Sequence, residues 1–261
     1  MNIGPKARLL MDLAFALGIE SADGLLHLPT LYQSRSGHTD SQFQQLLLKL
    51  EERDWLDCET NEESTWVRGL SHSGSEKLCD GISPIEMWNA RWDGKWRVFS
   101  FDIQGRSPAT RFALRKWLQR RRFGKVQGSV WIAPRIVAGW DKELAKIDVG
   151  PASAIALEGS FLGATKPELL VQRAWKFGEI NARYRDYLRF LETQRLEAPE
   201  QFSEWYQTES QLWKAAFELD PFLPRDLWPQ SDYLGPQALK ARGEAYLRAA
   251  SLTRISSLGA S

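Results

Sequence analysis

Cysteine is nearly missing from this chain. Cys58 and Cys79 are the only two in 261 residues, too few for a disulfide framework, and without secretory context both are expected as reduced thiols. Histidine is almost as scarce: His27, His38 and His72 lie early in the chain without ligand spacing, so no metal site is expected. There is no phosphate loop, no dinucleotide glycine fingerprint and no nucleophile elbow, and no Ser or Cys pairs with a His and a carboxylate in a triad pattern. No apolar run reaches the roughly 18 residues of a membrane helix. Met1 to Ile19 carries Lys6, Arg8 and Asp12 in an amphipathic pattern unlike a signal peptide. These absences lead to the expectation of a soluble, cytoplasmic protein with no membrane partner, cofactor or metal. Internal repeats and low-complexity tracts are also missing.

What is present is a chain that is 43% hydrophobic, enough for a real core, and a strongly uneven charge. The net charge is only +1. Residues 1–84 hold seven Lys/Arg against thirteen Asp/Glu, a net −6, whereas residues 85–175 hold sixteen against eight, a net +8, and residues 176–261 are near neutral at −1. A positive field concentrated in the middle of a chain favours a polyanion, either nucleic acid or a phosphorylated small molecule.

The most informative stretch runs from Trp92 to Ala133. Arg97 to Ile103 alternates, with Phe99, Phe101 and Ile103 on one face and Val98, Ser100 and Asp102 on the other, which predicts a half-buried strand. Ser107 as N-cap and Pro108 at the first helical position open a basic helix, with Phe112, Leu114, Trp117 and Leu118 apolar and Gly124 as its stop. Val126 to Ala133 reads as two short strands meeting at Gly128. A helix near Trp140 to Lys146 and a strand at Ala152 to Leu157 complete a strand-helix-strand-strand-helix-strand order, the ferredoxin-like plan.

Upstream, Lys6 to Leu17 and Leu25 to Tyr32 read as helices. A third, capped by Thr39, turns Phe43, Leu46, Leu47 and Leu50 inward and Ser41, Gln42, Gln45 and Lys49 outward. A hairpin of Asp57 to Thr60 and Thr65 to Leu70 follows, so three helices and a hairpin read as a winged helix-turn-helix. Ser71 to Leu78 reads as a short helix, and Gly81 to Pro84 as a linker. Downstream, Leu169 to Arg195 and Gln201 to Leu219 read as helices, the second with an aromatic stripe expected to be core. Asp220 to Pro236 holds four of the twelve prolines and reads as ordered turn. Gln237 to Ala250 reads as the last helix, with Ser251 to Ser261 frayed. The fold class expected is α+β and multidomain: a winged helix-turn-helix at 1–84, a ferredoxin-like α/β sandwich at 85–166 and a helical C-terminal domain at 167–261.

The string Trp92-Asp93-Gly94-Lys95-Trp96-Arg97, then Phe101-Asp102-Ile103, the Arg-rich helix and Phe123-Gly124 leading to Val130-Trp131 resemble the central domain of the PaaX family of bacterial transcriptional regulators. Ala174-Trp175, Ile180 to Tyr184, Asp220-Pro221, Leu223-Pro224 and Leu234-Gly235-Pro236 resemble its C-terminal region. The central domain is similar in turn to a small CRISPR-associated adaptation nuclease. The resemblance implies a repressor that binds operator DNA as a homodimer, is released by an aryl- or acyl-coenzyme A thioester, and catalyses nothing.

Candidate residues follow. For double-stranded DNA they are Ser41, Gln42, Gln44, Gln45, Lys49 and Arg68, the glutamines being suited to adenine edges. This module is short of cations: Glu62 and Glu63 stand at the wing tip, and Glu51, Glu52 and Asp54 where the family is typically basic. For the effector they are Arg111, Arg115, Arg120, Arg121, Arg122 and Lys125, whose charge suits thioester phosphates, with an aromatic-lined cleft against the C-terminal helices for the acyl group. Two alternatives stand beside this reading. One is a metal-dependent nucleic-acid hydrolase using Asp102, by the nuclease resemblance; the other is an effector sensor that has lost DNA binding.

Overall fold

A computed structural model describes residues 3–18, 25–26, 28–60, 65–79, 83–102, 107–135, 140–147, 149, 153–162, 166–229 and 233–258. Its elements in chain order are α1 (Pro5–Leu17), α2 (Leu28–Ser36), α3 (Asp40–Glu51), β1 (Leu56–Thr60), β2 (Thr65–Leu70), α4 (His72–Leu78), α5 (Pro84–Asn89), β3 (Trp96–Phe101), α6 (Pro108–Arg120) and β4 (Gly124–Gln127). There follow β5 (Val130–Ala133), α7 (Trp140–Ala145), β6 (Ala154–Gly159), α8 (Pro167–Ala174), α9 (Phe177–Thr193), α10 (Phe202–Phe217) and α11 (Gly235–Leu258). The chain divides into two compact units, neither contiguous in sequence. The first is Met1–Ser83, Arg183–Phe217 and Leu234–Ser261; the second is Pro84–Ala182 and Glu218–Tyr233.

In the first unit α2 and α3 are joined by a three-residue turn in which Gly37 has φ 67, a left-handed value that glycine adopts without steric cost. Phe43, Leu47 and Leu50 of α3 are buried, at the helical spacing read from the sequence. β1 and β2 pair antiparallel. The C-terminal helices complete this unit: α10 packs on α2, and α11 on α1 and α2. Phe202, Trp205 and Trp213 of α10 are buried, as an aromatic stripe in a core should be.

The second unit holds a four-stranded antiparallel sheet in the order β4-β5-β3-β6. Phe99 and Phe101 point to one face, where Leu114 and Leu118 of α6, Leu144 of α7, Phe123, Trp131 and Val149 close a core over them. Trp96 and Ile132, on the opposite face, are also buried, and Trp96 lies 6.3 Å from the Trp175 ring. Trp88, Phe222, Tyr233 and Trp228 pack edge to face at centroid distances of 5.2–6.2 Å. There the Trp88 indole N–H donates to the Tyr233 hydroxyl at 2.8 Å, and that hydroxyl donates to buried Asp220.

Several expectations are corrected. α6 does not run to Arg122 with Gly124 as its stop: it ends at Arg120, and Arg122 takes φ 62 to turn the chain. Gly124 is instead the place where backbone meets side chain, since a Cβ there would stand 2.5 Å from the Trp175 ring and 2.6 Å from the Ala174 Cβ. Phe112 is 67% exposed rather than core. Leu169 to Arg195 is two helices, broken where Trp175 adopts φ −128, ψ 140. Ser83 and Pro84 are buried, and Pro84 opens α5 rather than a linker. α11 continues past Ser251 to Leu258. Ile103 and the wing tip at Glu62 and Glu63 lie outside the described residues.

Candidate DNA and effector surfaces

α3 owes its start to a capping box. The Thr39 hydroxyl accepts from the Gln42 backbone N–H at 3.4 Å, and the Gln42 side-chain oxygen accepts from the Thr39 N–H at 3.0 Å, satisfying two amides that a helix start leaves unpaired. Gln42 is thus committed to its own helix, and reading a base bidentately would break the box. Gln44 is half-buried and donates to the Thr65 carbonyl at 3.5 Å. Ser41, Gln45 and Lys49 are exposed. Arg68 stands on β2, paired at 3.4 Å with Glu59 across the hairpin, so part of its charge is met within the chain.

α6 buries Leu114 and Leu118 and exposes Arg111, Arg115, Lys116 and Arg120. The Ser107 hydroxyl caps it by accepting from the Thr110 N–H at 3.1 Å. Arg111 and Arg115 lie one turn apart, whereas Arg120, nine residues from Arg111, falls about half a turn round the helix. Arg121 is half-buried at the C-cap. Arg122 is spent in the fold: its guanidinium lies 4.6 Å over the Phe222 ring and donates to the Glu218 carbonyl. Lys125 is exposed on β4. The structure therefore brings Arg111 and Arg115 together with Lys116 and the exposed Phe112, whose ring lies 5.9 Å from the Lys116 ammonium.

Asp102 is exposed just past β3, its backbone N–H donating to the Ser153 carbonyl at 2.9 Å. Among the described residues no three His, Cys, Asp or Glu side chains gather as metal ligands would. Among the same residues no helix is long and apolar enough to cross a membrane.

Two ionic clusters escaped the sequence reading. In the first unit Arg242, fully buried, bonds Glu209 at 2.8 Å and Asp12 at 2.9 and 3.1 Å. The Tyr187 and Tyr246 hydroxyls donate to the same Glu209, at 2.7 and 2.6 Å. Burial, reinforced by the Glu209 charge, pushes both phenols well above their ordinary range. In the second unit Arg97 forms a fork with Asp93 at 2.6 and 2.9 Å and reaches Glu158 at 2.9 Å. The hydrogen bonds from Arg97 pull the Asp93 carboxyl down to about 2.

Residues 89–171, which span the sheet with α6, α7 and the start of α8, match the family model of the PaaX protein central Cas2-like domain. The middle of the chain is thus similar to the PaaX central domain, in line with the resemblance read from Trp92 to Ala133. Among solved structures, the uncharacterized protein Rv0674 from Mycobacterium tuberculosis superposes with a TM-score of 0.55 at 18% identity, covering 95% of this chain and 97% of that one. At that identity the likeness is one of fold, and it extends over nearly the whole chain. No curated protein matches.

Proposed function

We propose that the chain is a PaaX-like transcriptional repressor that binds operator DNA as a homodimer and is released by an acyl- or aryl-coenzyme A thioester. The observation that carries this reading is the match of residues 89–171 to the PaaX central domain. The α2-turn-α3 pair followed by the β1-β2 hairpin supports a winged helix-turn-helix, with exposed Ser41, Gln45 and Lys49 on the helix that would enter the major groove. The sheet order β4-β5-β3-β6, with two helices on one face, supports a ferredoxin-like middle domain. Arg111 and Arg115 supply an anion-binding pair for thioester phosphates.

The test is enrichment of genomic duplex fragments by the purified protein, with and without candidate coenzyme A thioesters. The expected result is a small set of sites that are lost when a thioester is added. Thioester binding without any duplex enrichment would replace this reading with that of a sensor that has lost DNA binding, which the net −6 of residues 1–84 favours. The hydrolase reading rests on Asp102 alone, and no further observation favours it.

A further inference from the structure

We propose that two copies of the chain pair through β6, antiparallel across a two-fold axis at Ala156, so that their four-stranded sheets join into one of eight. The inference rests on the homodimer of the reading above and assigns its surface. Among the described residues β6 is an outer strand, paired to β3 alone, so the backbone N–H and C=O groups of its far side have no ladder there. Folds usually blunt such an edge with Lys, Pro or a bulge. This strand has none of them: Ala154–Gly159 pairs with β3 over six consecutive residues without a register shift. Its one charge, Glu158, is already met by Lys95 at 3.1 Å and Arg97 at 2.9 Å.

Instead the strand exposes aliphatic side chains. Ile155 is 65% and Leu157 53% exposed, and the apolar rim continues past the strand end with Phe161 and Leu162. Ile155 and Leu157 share the sheet face of Val98 and Ser100, their β3 partners. Trp96 and Trp175 shelter that face toward β4, and it is bare at β6.

The register identifies a second copy as the occupant. With Ala156 facing Ala156 of the partner subunit, Ile155 faces Leu157 of the partner subunit, and symmetry repeats the pair, so all four exposed aliphatics are covered by cross-strand contacts. Glu158 falls opposite Ala154 of the partner subunit, and no like charges meet. A slip of one residue sets Ile155 against Glu158 of the partner subunit and loses the apolar pairs.

Ala156→Cys in the full chain reads this register directly, because a residue on the axis faces itself. Paired Cα atoms in an antiparallel ladder lie about 4.5–5.5 Å apart, within the roughly 4.4–6.8 Å a disulfide spans. Positions 154 and 158 lie two residues from the axis, so each is about 13 Å from its own copy. Native thiols interfere little, since Cys79 is buried and burial, with Glu51 and Asp57, pushes Cys58 up to about 11. Under mild oxidation Ala156→Cys is expected to form a covalent dimer, while Ala154→Cys and Glu158→Cys do not. Light scattering is expected to show a dimer that Leu157→Lys or Ile155→Lys converts to monomer with unchanged circular dichroism. A dimer that survives both lysine variants and is not trapped by Ala156→Cys overturns the β6 pairing and leaves the homodimer reading in place. A monomeric parent at tens of micromolar overturns both.

Discussion

Arg242, near the end of the chain, holds Asp12, near its beginning, through two hydrogen bonds of 2.9 and 3.1 Å, and the arginine side chain is fully buried while doing so. The pair fastens α11 to α1, and Glu209 and two tyrosines complete the shell around the guanidinium. Removing one member strands the others in a buried site, a change that costs about 3–5 kcal/mol in comparable buried pairs. Arg242→Ala is therefore expected to lower the unfolding free energy of the first unit by that order, read as a lower urea midpoint. Arg242→Met together with Glu209→Leu and Asp12→Asn should recover much of the loss, because neutral groups of similar size leave no charge unpaired. Equal midpoints for parent and Arg242→Ala would refute the role.

Gly124 meets the Trp175 ring so closely that an added methyl group has nowhere to go. Gly124→Ala should destabilise the second unit by about 1–3 kcal/mol through overpacking. The penalty should shrink when Trp175→Leu opens the space, so a double-mutant cycle on thermal unfolding reads the contact itself. Additive effects would show that the ring does not press on this glycine.

Local signals carried most of the elements. Thr39 and Ser107 cap the helices they were expected to cap, and the alternation of Phe99 and Phe101 gave the buried face of β3, because caps and periodicity depend on residues close in sequence. What depends on distant partners was not legible. Gly124 read as a helix stop because its neighbour Trp175 lies some fifty residues on. Arg122 read as one more cation of a basic face, and only the fold sets it on Phe222. The buried ionic cluster did leave a trace: Arg242 sits on the stripe of Ala238, Ala245 and Ala249, and Glu209 on that of Phe202, Trp205 and Trp213, all buried. A charge on an apolar stripe is the pattern that marks a buried pair.

Asp93 gives a pH signature. Its carboxyl is held at about 2 by the Arg97 fork, against an ordinary 3.8, so its folded value is depressed. The stabilisation is then fully present above pH 3.8 and is lost as the pH falls through about 2. Asp93→Asn should differ from the parent in urea midpoint at pH 6, and the difference should narrow steadily below pH 4. A gap that stays constant to pH 2.5 would show that Asp93 is not ionised by this fork.

The residues of α3 separate by what holds them. Gln42→Ala breaks the capping box and is expected to cost about 1 kcal/mol of stability. Gln45→Ala and Lys49→Ala, both at exposed positions, should leave stability unchanged. If α3 enters the major groove, Lys49→Ala should reduce the salt dependence of operator binding by about two units of slope, one for each protomer of the dimer, while Gln45→Ala should relax the preference at one base pair in each half-site. Salt slopes that match the parent would place Lys49 away from the phosphates.

The effector surface can be tested in a way that separates binding from folding. Arg111 and Arg115 are both exposed and one turn apart on α6, and a charge-assisted hydrogen bond to phosphate is worth about 1.5–3 kcal/mol. Losing both should therefore weaken thioester binding by more than tenfold with no change in melting temperature. Arg122→Ala behaves otherwise, because that guanidinium lies on Phe222 and holds the Glu218 carbonyl, so its removal should lower the melting temperature. A ligand shifts an equilibrium only by its differential affinity for the two states. The Arg111→Ala, Arg115→Ala variant should thus still bind operator and fail to be released by thioester. Operator binding titrated with thioester, parent against variant, decides the matter: coincident release curves remove α6 from the effector site, and loss of operator binding before any thioester is added assigns Arg111 and Arg115 to DNA instead.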